Sequence, residues 1–521
     1  MSAQVVIQAK WILERFDEDG QPILHRDSGI LVDGTKVQRI GQISELTRAY
    51  PNAKTLGNQE SVVIPGLINA HHHVGLTPFQ LGSVDHPLEL WFASRIGLRD
   101  VDLRLDTLYS AFEMISTGVT TVQHLHSRAP GGVLGLENAS EQVIGAYRDI
   151  GMRVSYSMAL RDQNRLVYEA DEEFIKRVPR NIRPDLTEYL EGYVVPLKDQ
   201  VDFFESLYRR HKDEDRICVQ LAPANLHWLS DTALESAADA HNKFDVPLHM
   251  HLLETPYQKM YASKRTGNSA LSYIEEYGLL GPQLTIGHGV WMNEAEIDLI
   301  AETGTNICHN CSSNLRLKSG IAPINCFVEK KVPVALGIDE AGINDDRDML
   351  QEMRLVLQMH QTPGIGARSL TAPEVLRMAT EFGARTTPFG KSIGQLSEGS
   401  EADLVLLNHQ EMVYPYQNDE IPIIDVLVQR TKSKAVEIVM VAGEIVYNEG
   451  SFAKVDQGDV LAEIAERLAY PISKQEMRRH ALARSVFPHV KKFYEDHYQI
   501  SEVFSVVSNN HALKKVTRYD E

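Results

Sequence analysis

A chain of 521 residues is long enough for two to four domains around a large buried core, which excludes a small stapled scaffold. With 52 Lys and Arg against 71 Asp and Glu the formal charge is −19, a field that repels phosphate backbones and anionic lipid and argues against a nucleic-acid partner. At 43% hydrophobic and 24% charged residues, with no apolar run near the ~20 residues of a membrane span, the composition is that of a globular protein with no membrane role.

The first residues lack the basic start and apolar middle of a secretory signal, so the cytoplasm is the expected compartment. From about residue 3 to 63, short alternating strands are expected, with turns at Asp19-Gly20 and Asp33-Gly34. Eight apolar, β-branched runs then follow at 67–70, 118–125, 153–160, 217–224, 246–253, 284–290, 305–311 and 332–339. Most are separated by amphipathic stretches such as 231–244 and 293–304, the latter opened by Asn293-Glu-Ala-Glu and stopped by Gly304. Segment 161–201, charged and carrying Pro179, Pro184 and Pro196, is too long for a plain loop and reads as a lid, a specificity element or a packed surface insertion. Cys308 and Cys311 form a C-x-x-C pair with no second pair to complete a zinc knuckle, and read as reduced core thiols.

Strands return at 402–407 and 436–447, with a tight turn at Ala442-Gly443, and from 457 onward the pattern is helical, with candidates at 461–468 and 476–487. No glycine-rich phosphate turn follows the first run, which disfavours a doubly wound open sheet. The expected fold is therefore α/β: a (β/α)8 TIM-like barrel over 64–389, a small composite β-sandwich domain from flanks 1–63 and 390–455, and a helical C-terminal extension over 456–521.

Histidine and acidic residues end several different runs, where barrel enzymes assemble their chemistry. In an extended strand side chains two apart point the same way, so His71 and His73 converge while His72 turns aside. A lone histidine pair serves structural roles as readily as a metal, so the company decides. The fifth run supplies His249-Met-His251-Leu-Leu-Glu254, the sixth His288, the seventh His309-Asn310 and the eighth Gly337-Ile338-Asp339. Gathered at one mouth, three histidines and an aspartate around a water make a catalytic site for Zn²⁺ or Fe²⁺.

The segments Pro65-Gly-Leu-Ile-Asn-Ala-His71-His72-His73, Gly118-Val-Thr-Thr121, 249–254, 286–289, 312–323 and 334–339, with 379–385, 393–399 and 401–407 beyond them, resemble the amidohydrolase superfamily. The likeness is to the branch of cytosine, guanine and adenosylhomocysteine deaminases and triazine hydrolases, and spans residues 5 to 455. It implies His71, His73, His251 and Asp339 as metal ligands, with Glu254, His288 and Asp339 catalytic. No lysine closes the fourth run, so one divalent ion is implied, Zn²⁺ with Fe²⁺ as the alternative.

The implied activity is hydrolysis of C–N bonds in a small molecule, deamination of an amino-substituted N-heterocycle by attack of metal-bound hydroxide. The alternatives are cyclic amide hydrolysis, as in imidazolonepropionase, and displacement of a chloro or alkylamino group, as in the triazine hydrolases. The chain departs from the common pattern at Glu340, after the eighth-run Asp, and at Ala222-Pro-Ala-Asn225-Leu-His227-Trp228. Candidate substrate contacts are His126, Asn225, His227, Trp228, His309 and Glu340, with Asp162, Gln163 and Arg316 as further pocket guesses. A homo-oligomer is expected.

Overall fold

The computed structural model describes residues 4–73, 75–127 and 129–498. The N-terminal flank forms β1 (Gln4–Phe16), β2 (Pro22–Asp33), β3 (Lys36–Gln42), β4 (Lys54–Gly57) and β5 (Ser61–Pro65). The central strands are β6 (Leu67–His72), β7 (Val119–His126), β8 (Arg153–Leu160), β9 (Ile217–Val219), β10 (Ala222–Pro223), β11 (Leu248–Leu252), β12 (Leu284–His288), β13 (Asn306–His309) and β14 (Val334–Leu336). The C-terminal flank adds β15 (Leu404–Asn408), β16 (Val436–Val441), β17 (Glu444–Asn448) and β18 (Ser451–Phe452).

Both flanks share one nine-stranded sheet, in which β5 and β15 pair antiparallel with Val63 opposite Leu406. One face buries Ile7, Ile12, Val32, Val63, Leu404 and Met440 together. The strands of the N-terminal hairpin are not short: β1 has 13 residues and β2 has 12, because the pairing continues past a bulge at Leu13 to Arg15. The Asp33-Gly34 and Ala442-Gly443 turns lie against each other. A side-chain carbon on Gly443 would stand 1.9 Å from the Gly34 carbonyl oxygen, so only glycine fits. A buried ion pair, Arg153 Nε to Asp403 Oδ2 at 2.8 Å, ties β8 to this sheet.

The central strands make two parallel sheets, one ordered β6, β7, β8 and then β9 with β10, the other β11 to β14. Isolated parallel bridges, His72 with Asp339 and Leu221 with Leu248, link the two sheets at both edges. The fourth run is broken into β9 and β10, since Gln220 N bonds Tyr156 O while Leu221 turns to pair with Leu248. Helices cover the outside. Asp231–Phe244 is capped by Ser230, and Glu294–Thr303 carries the expected capping box of Asn293 and Glu296.

The 161–201 insertion contains helices Asp171–Arg177 and Arg183–Glu191 and the start of Leu197–His211. Phe174, Leu186 and Leu190 pack in one apolar cluster with Val486, Val490 and Phe493 of helix Lys474–His497, and the cluster extends to Ala93 and Ile96. The insertion is thus a packed element. Helix Lys474–His497 also runs past Pro488, where the sequence pattern stops, because the buried stripe of Val486, Val490 and Phe493 offsets the lost backbone bond. The rest of the expected extension, 499–521, lies outside the described residues. No helix among the described residues is long and apolar enough to cross a membrane.

Candidate active site

The carboxyl ends of the parallel strands bring the ionisable residues together. Along β6 the expected alternation holds: His72 Nε2 faces Ser110 Oγ at 3.2 Å, while His71 and His73 turn to the opposite side. Asn69 Oδ1 accepts from Ile338 N at 3.0 Å, and Asp339 N donates to His71 O at 2.8 Å, so the first and last central strands hold His71 and Asp339 in register. Two glycines make the room. A side-chain carbon on Gly287 would come within 2.9 Å of the His71 ring, and one on Gly337 within 2.5 Å of His71 Cβ.

His71 Nε2 lies 3.0 Å from His73 Nε2 and 3.1 Å from His251 Nε2, and the latter two are 3.1 Å apart. Asp339 Oδ1 completes the group, 3.1 Å from His73 Nε2 and 3.6 Å from His71 Nε2. The opposite nitrogen of each ring has its own partner: His73 Nδ1 with Leu125 O at 2.5 Å, His251 Nδ1 with Ala224 O at 3.0 Å, and His71 Nδ1 with His249 Nε2 at 2.8 Å. The carbonyl acceptors put the proton of His73 and of His251 on Nδ1 and leave their Nε2 lone pairs free, and the His71 tautomer that donates to His249 brings a third lone pair to the same point beside a carboxylate. Without a cation that convergence is repulsive. Four donors at ~2.0 to 2.1 Å from a tetrahedral ion stand roughly 3.3 Å apart, so the residues present fit one divalent metal.

Burial drives the His71 and His251 rings well below the ordinary histidine range, and brings His249 down to about 3, so all three stay neutral at neutral pH. Burial opposes the charge on Asp339, but His73 and His288 outweigh it and hold the carboxyl well below its usual range. Ser313 Oγ donates to Asp339 Oδ2 at 2.6 Å. Burial pushes the Glu254 carboxyl up, with His288 opposing and Asp339 adding to the rise. Its Oε1 accepts from Ser319 Oγ at 3.1 Å, and its Oε2 is 3.7 Å from His288 Nε2. That same nitrogen is 3.8 Å from Asp339 Oδ2, and Asn314 Oδ1 fixes the ring through Nδ1 at 2.8 Å.

Leu253, His288 and Asp339 all have positive φ, at 54°, 74° and 62°. Such left-handed conformations strain residues other than glycine by ~1 to 3 kcal/mol, and here they cluster where the strands deliver Glu254, His288 and Asp339.

A cleft opens on the group. Helix Leu88–Ser94 and the residue after it contribute Trp91, Phe92 and Arg95 to its wall, facing Asn225, Trp228 and Glu340. Of the expected contacts, Asn225, Trp228 and Glu340 line this cleft, and His126 lines a second one that begins at His73 and runs between helices Arg183–Glu191 and Lys474–His497. His227 and His309 line neither. The His227 ring is buried behind Trp228 and packs on Tyr168 with centroids 4.1 Å apart, and His309 Nε2 faces His360 Nε2 at 2.9 Å in the core. Asp162 accepts from Ser230, Gln163 bonds backbone carbonyls, and Arg316 pairs with Asp85, so these three hold the scaffold. Trp91, Phe92 and Arg95 carried no sequence signal, and the place of His249 behind His71 needed the fold.

Residues 62–446 match the family model described as the amidohydrolase family. Among curated proteins, the chain is 28% identical over 462 residues to the 5-methylthioadenosine/S-adenosylhomocysteine deaminase of Syntrophobacter fumaroxidans, covering 88% of this chain and 93% of that one. It is 30% identical over 400 residues to the 8-oxoguanine deaminase of Pseudomonas aeruginosa, covering 75% and 83% respectively. Among solved structures it resembles the zinc complex of atrazine chlorohydrolase from Arthrobacter aurescens TC1, with a TM-score of 0.76 at 20% identity over 89% of this chain and 99% of that one.

Proposed function

The chain belongs to the amidohydrolase family, and from that membership we propose that it is a metal-dependent deaminase that removes an exocyclic amino group from a small N-heterocycle. We read the two parallel sheets, bridged at both edges, as one closed (β/α)8 barrel over 64–389. The flanks 1–63 and 390–455 then form the composite β-sandwich domain, with 456–521 as the C-terminal extension. Two relatives that match most of the chain are named deaminases of purine compounds, which favours deamination over amide ring opening or halide displacement.

The observation that carries this reading is the convergence of three histidine Nε2 atoms and one carboxylate, with Glu254 and His288 adjacent. His71, His73, His251 and Asp339 would hold one divalent ion, for which zinc is the first choice and iron the second. When bound, the ion supplies Lewis acidity that makes water ionisable near neutral pH. Asp339 receives the water's proton at Oδ2, the oxygen that Ser313 already contacts.

Glu254, its carboxyl raised by burial, gives a proton to a ring nitrogen as water adds; the amine then leaves with the proton that Asp339 took, and the new hydroxyl returns its proton to Glu254 as the oxo group forms. His288, its Nδ1 held by Asn314 Oδ1, sets Nε2 between the two carboxyls, beside the oxygen that develops charge. Trp228, with Trp91 and Phe92, offers aromatic faces to a planar ring, while Asn225 and Glu340 supply polar edges.

The test is ammonia release from amino-substituted purines, pyrimidines, pterins and triazines by the metal-loaded full chain. Ammonia matched by the oxo product is expected from at least one of these. Ring opening or chloride release with no ammonia from any of them would assign the site to a different hydrolysis.

A further inference from the structure

One short segment, 312–319, reaches all three side chains that the proposed reaction uses to move protons. Ser313 Oγ donates to Asp339 Oδ2 at 2.6 Å, Asn314 Oδ1 meets His288 Nδ1 at 2.8 Å, and Ser319 Oγ donates to Glu254 Oε1 at 3.1 Å. Backbone bonds from Leu317 N to Ser313 O and from Ser319 N to Asn314 O, both 2.8 Å, close the segment into one unit. Such a unit can hold three side chains in place only if it is itself held.

Its anchor comes from another helix. Asn310, at the start of helix Cys311–Arg316, makes no capping bond with its side chain, which meets Cys308 and His288 instead. Glu352 of helix Met349–Met359, 40 positions beyond Ser312, takes that role: its Oε1 accepts from Ser312 N at 3.0 Å and its Oε2 from Ser312 Oγ. The Glu352 side chain is buried, at 1% exposure. Burying a carboxyl is costly, and an apolar side chain would fill the same space without that cost. What an apolar side chain could not do is accept both bonds from Ser312.

We infer that Glu352 is a positioning residue that sets Glu254, His288 and Asp339 together, by pinning the start of the segment that holds all three. This rests on the roles proposed above for those three residues. Without the Glu352 carboxyl, the Ser312 N–H and O–H are left buried with no acceptor, and the segment relaxes toward a new one. Ser313 and Asn314 follow directly, so the displacement is passed to Asp339 and His288. A misplacement of about 1 Å at reacting groups costs up to ~10²-fold in rate.

The experiment uses the zinc-loaded full chain as wild type, Glu352→Met and Glu352→Gln, with Ser312→Ala as the milder probe should Glu352→Met fail to fold. Steady-state kinetics on the best substrate of the heterocycle panel are paired with imidazole ¹⁵N resonances, the His288 signals being assigned by their loss in His288→Asn. Glu352→Met should keep its metal and lose about 10- to 100-fold in kcat, with KM within about threefold of wild type. Glu352→Gln still accepts from Ser312 N and should recover most of kcat. Adding Asn314→Ala to Glu352→Met should cost far less than Asn314→Ala costs the wild type, because both act through one segment. The His288 signals should shift in Glu352→Met and Ser312→Ala and return in Glu352→Gln. A folded Glu352→Met with wild-type kcat, or losses from Glu352→Met and Asn314→Ala that simply multiply, overturns the inference. Should the wild type hydrolyse nothing in the panel, the deaminase reading falls and the resonances decide. Shifted His288 signals then uphold the role of Glu352, and unchanged ones in Glu352→Met, or in Ser312→Ala where that variant stands in for it, overturn it.

Discussion

His71 Nδ1 stands 2.8 Å from His249 Nε2, so the His71 ring is oriented by a second histidine, from β11. Outer partners of this kind fix the tautomer of a ligand and raise its basicity. His249→Ala should lower metal affinity by roughly 10- to 100-fold, read by competition with a chromophoric chelator. Unchanged affinity would mean that His71 needs no such partner.

In the proposed division of roles Glu254 moves a proton and is not a metal ligand. Glu254→Gln keeps the volume and a hydrogen bond to Ser319, so metal content should hold while kcat falls by ~10² or more. Loss of the metal in this variant would make Glu254 a ligand.

Glu89 is buried behind the cleft wall, accepting from Tyr168 and Thr255, and burial raises its carboxyl from 4.5 to about 7. Between those values the unfolded chain has released the proton that the folded chain keeps. Stability therefore falls as pH rises from 4.5 to about 7 and levels off above. Glu89→Gln should remove that slope, with the variant more stable by roughly 3 kcal/mol at pH 8 and equal to wild type at acid pH. Denaturant unfolding across pH checks it, and parallel curves for the two proteins would contradict it.

Phe493 sits in the cluster that joins the insertion, helix Lys474–His497 and the segment around Ala93 and Ile96. Phe493→Ala should cost ~3 to 5 kcal/mol in denaturant unfolding. Because the segment that it supports also carries Trp91 and Arg95, KM should rise more than kcat falls. A variant with weakened unfolding and unchanged KM would separate the extension from the pocket.

The strand positions and the meeting of His71, His73, His251 and Asp339 were legible because both depend on local pattern. Apolar runs closed by polar residues mark buried parallel strands, and the two-residue alternation alone turns His71 and His73 away from His72. The flank pairing was expected because neither flank alone has strands enough for a large core, and β5 and β15 do pair. The pocket wall was illegible. Arg95 lies in an ordinary helical stretch whose partner Glu340 is brought to it only by tertiary folding. His227 and His309 failed as contacts because their rotamers turn into the core, toward Tyr168 and His360, which spacing along a strand end does not reveal. Helix Lys474–His497 outran its pattern for the same reason, since packing on the insertion overrides the proline.

The most direct measurement couples metal content to ammonia release on one preparation of the full chain. About one equivalent of divalent ion per chain is predicted, with deaminase activity falling as the ion is chelated away and returning when zinc is restored. Full deaminase activity in protein from which every trace of divalent metal has been removed would contradict it.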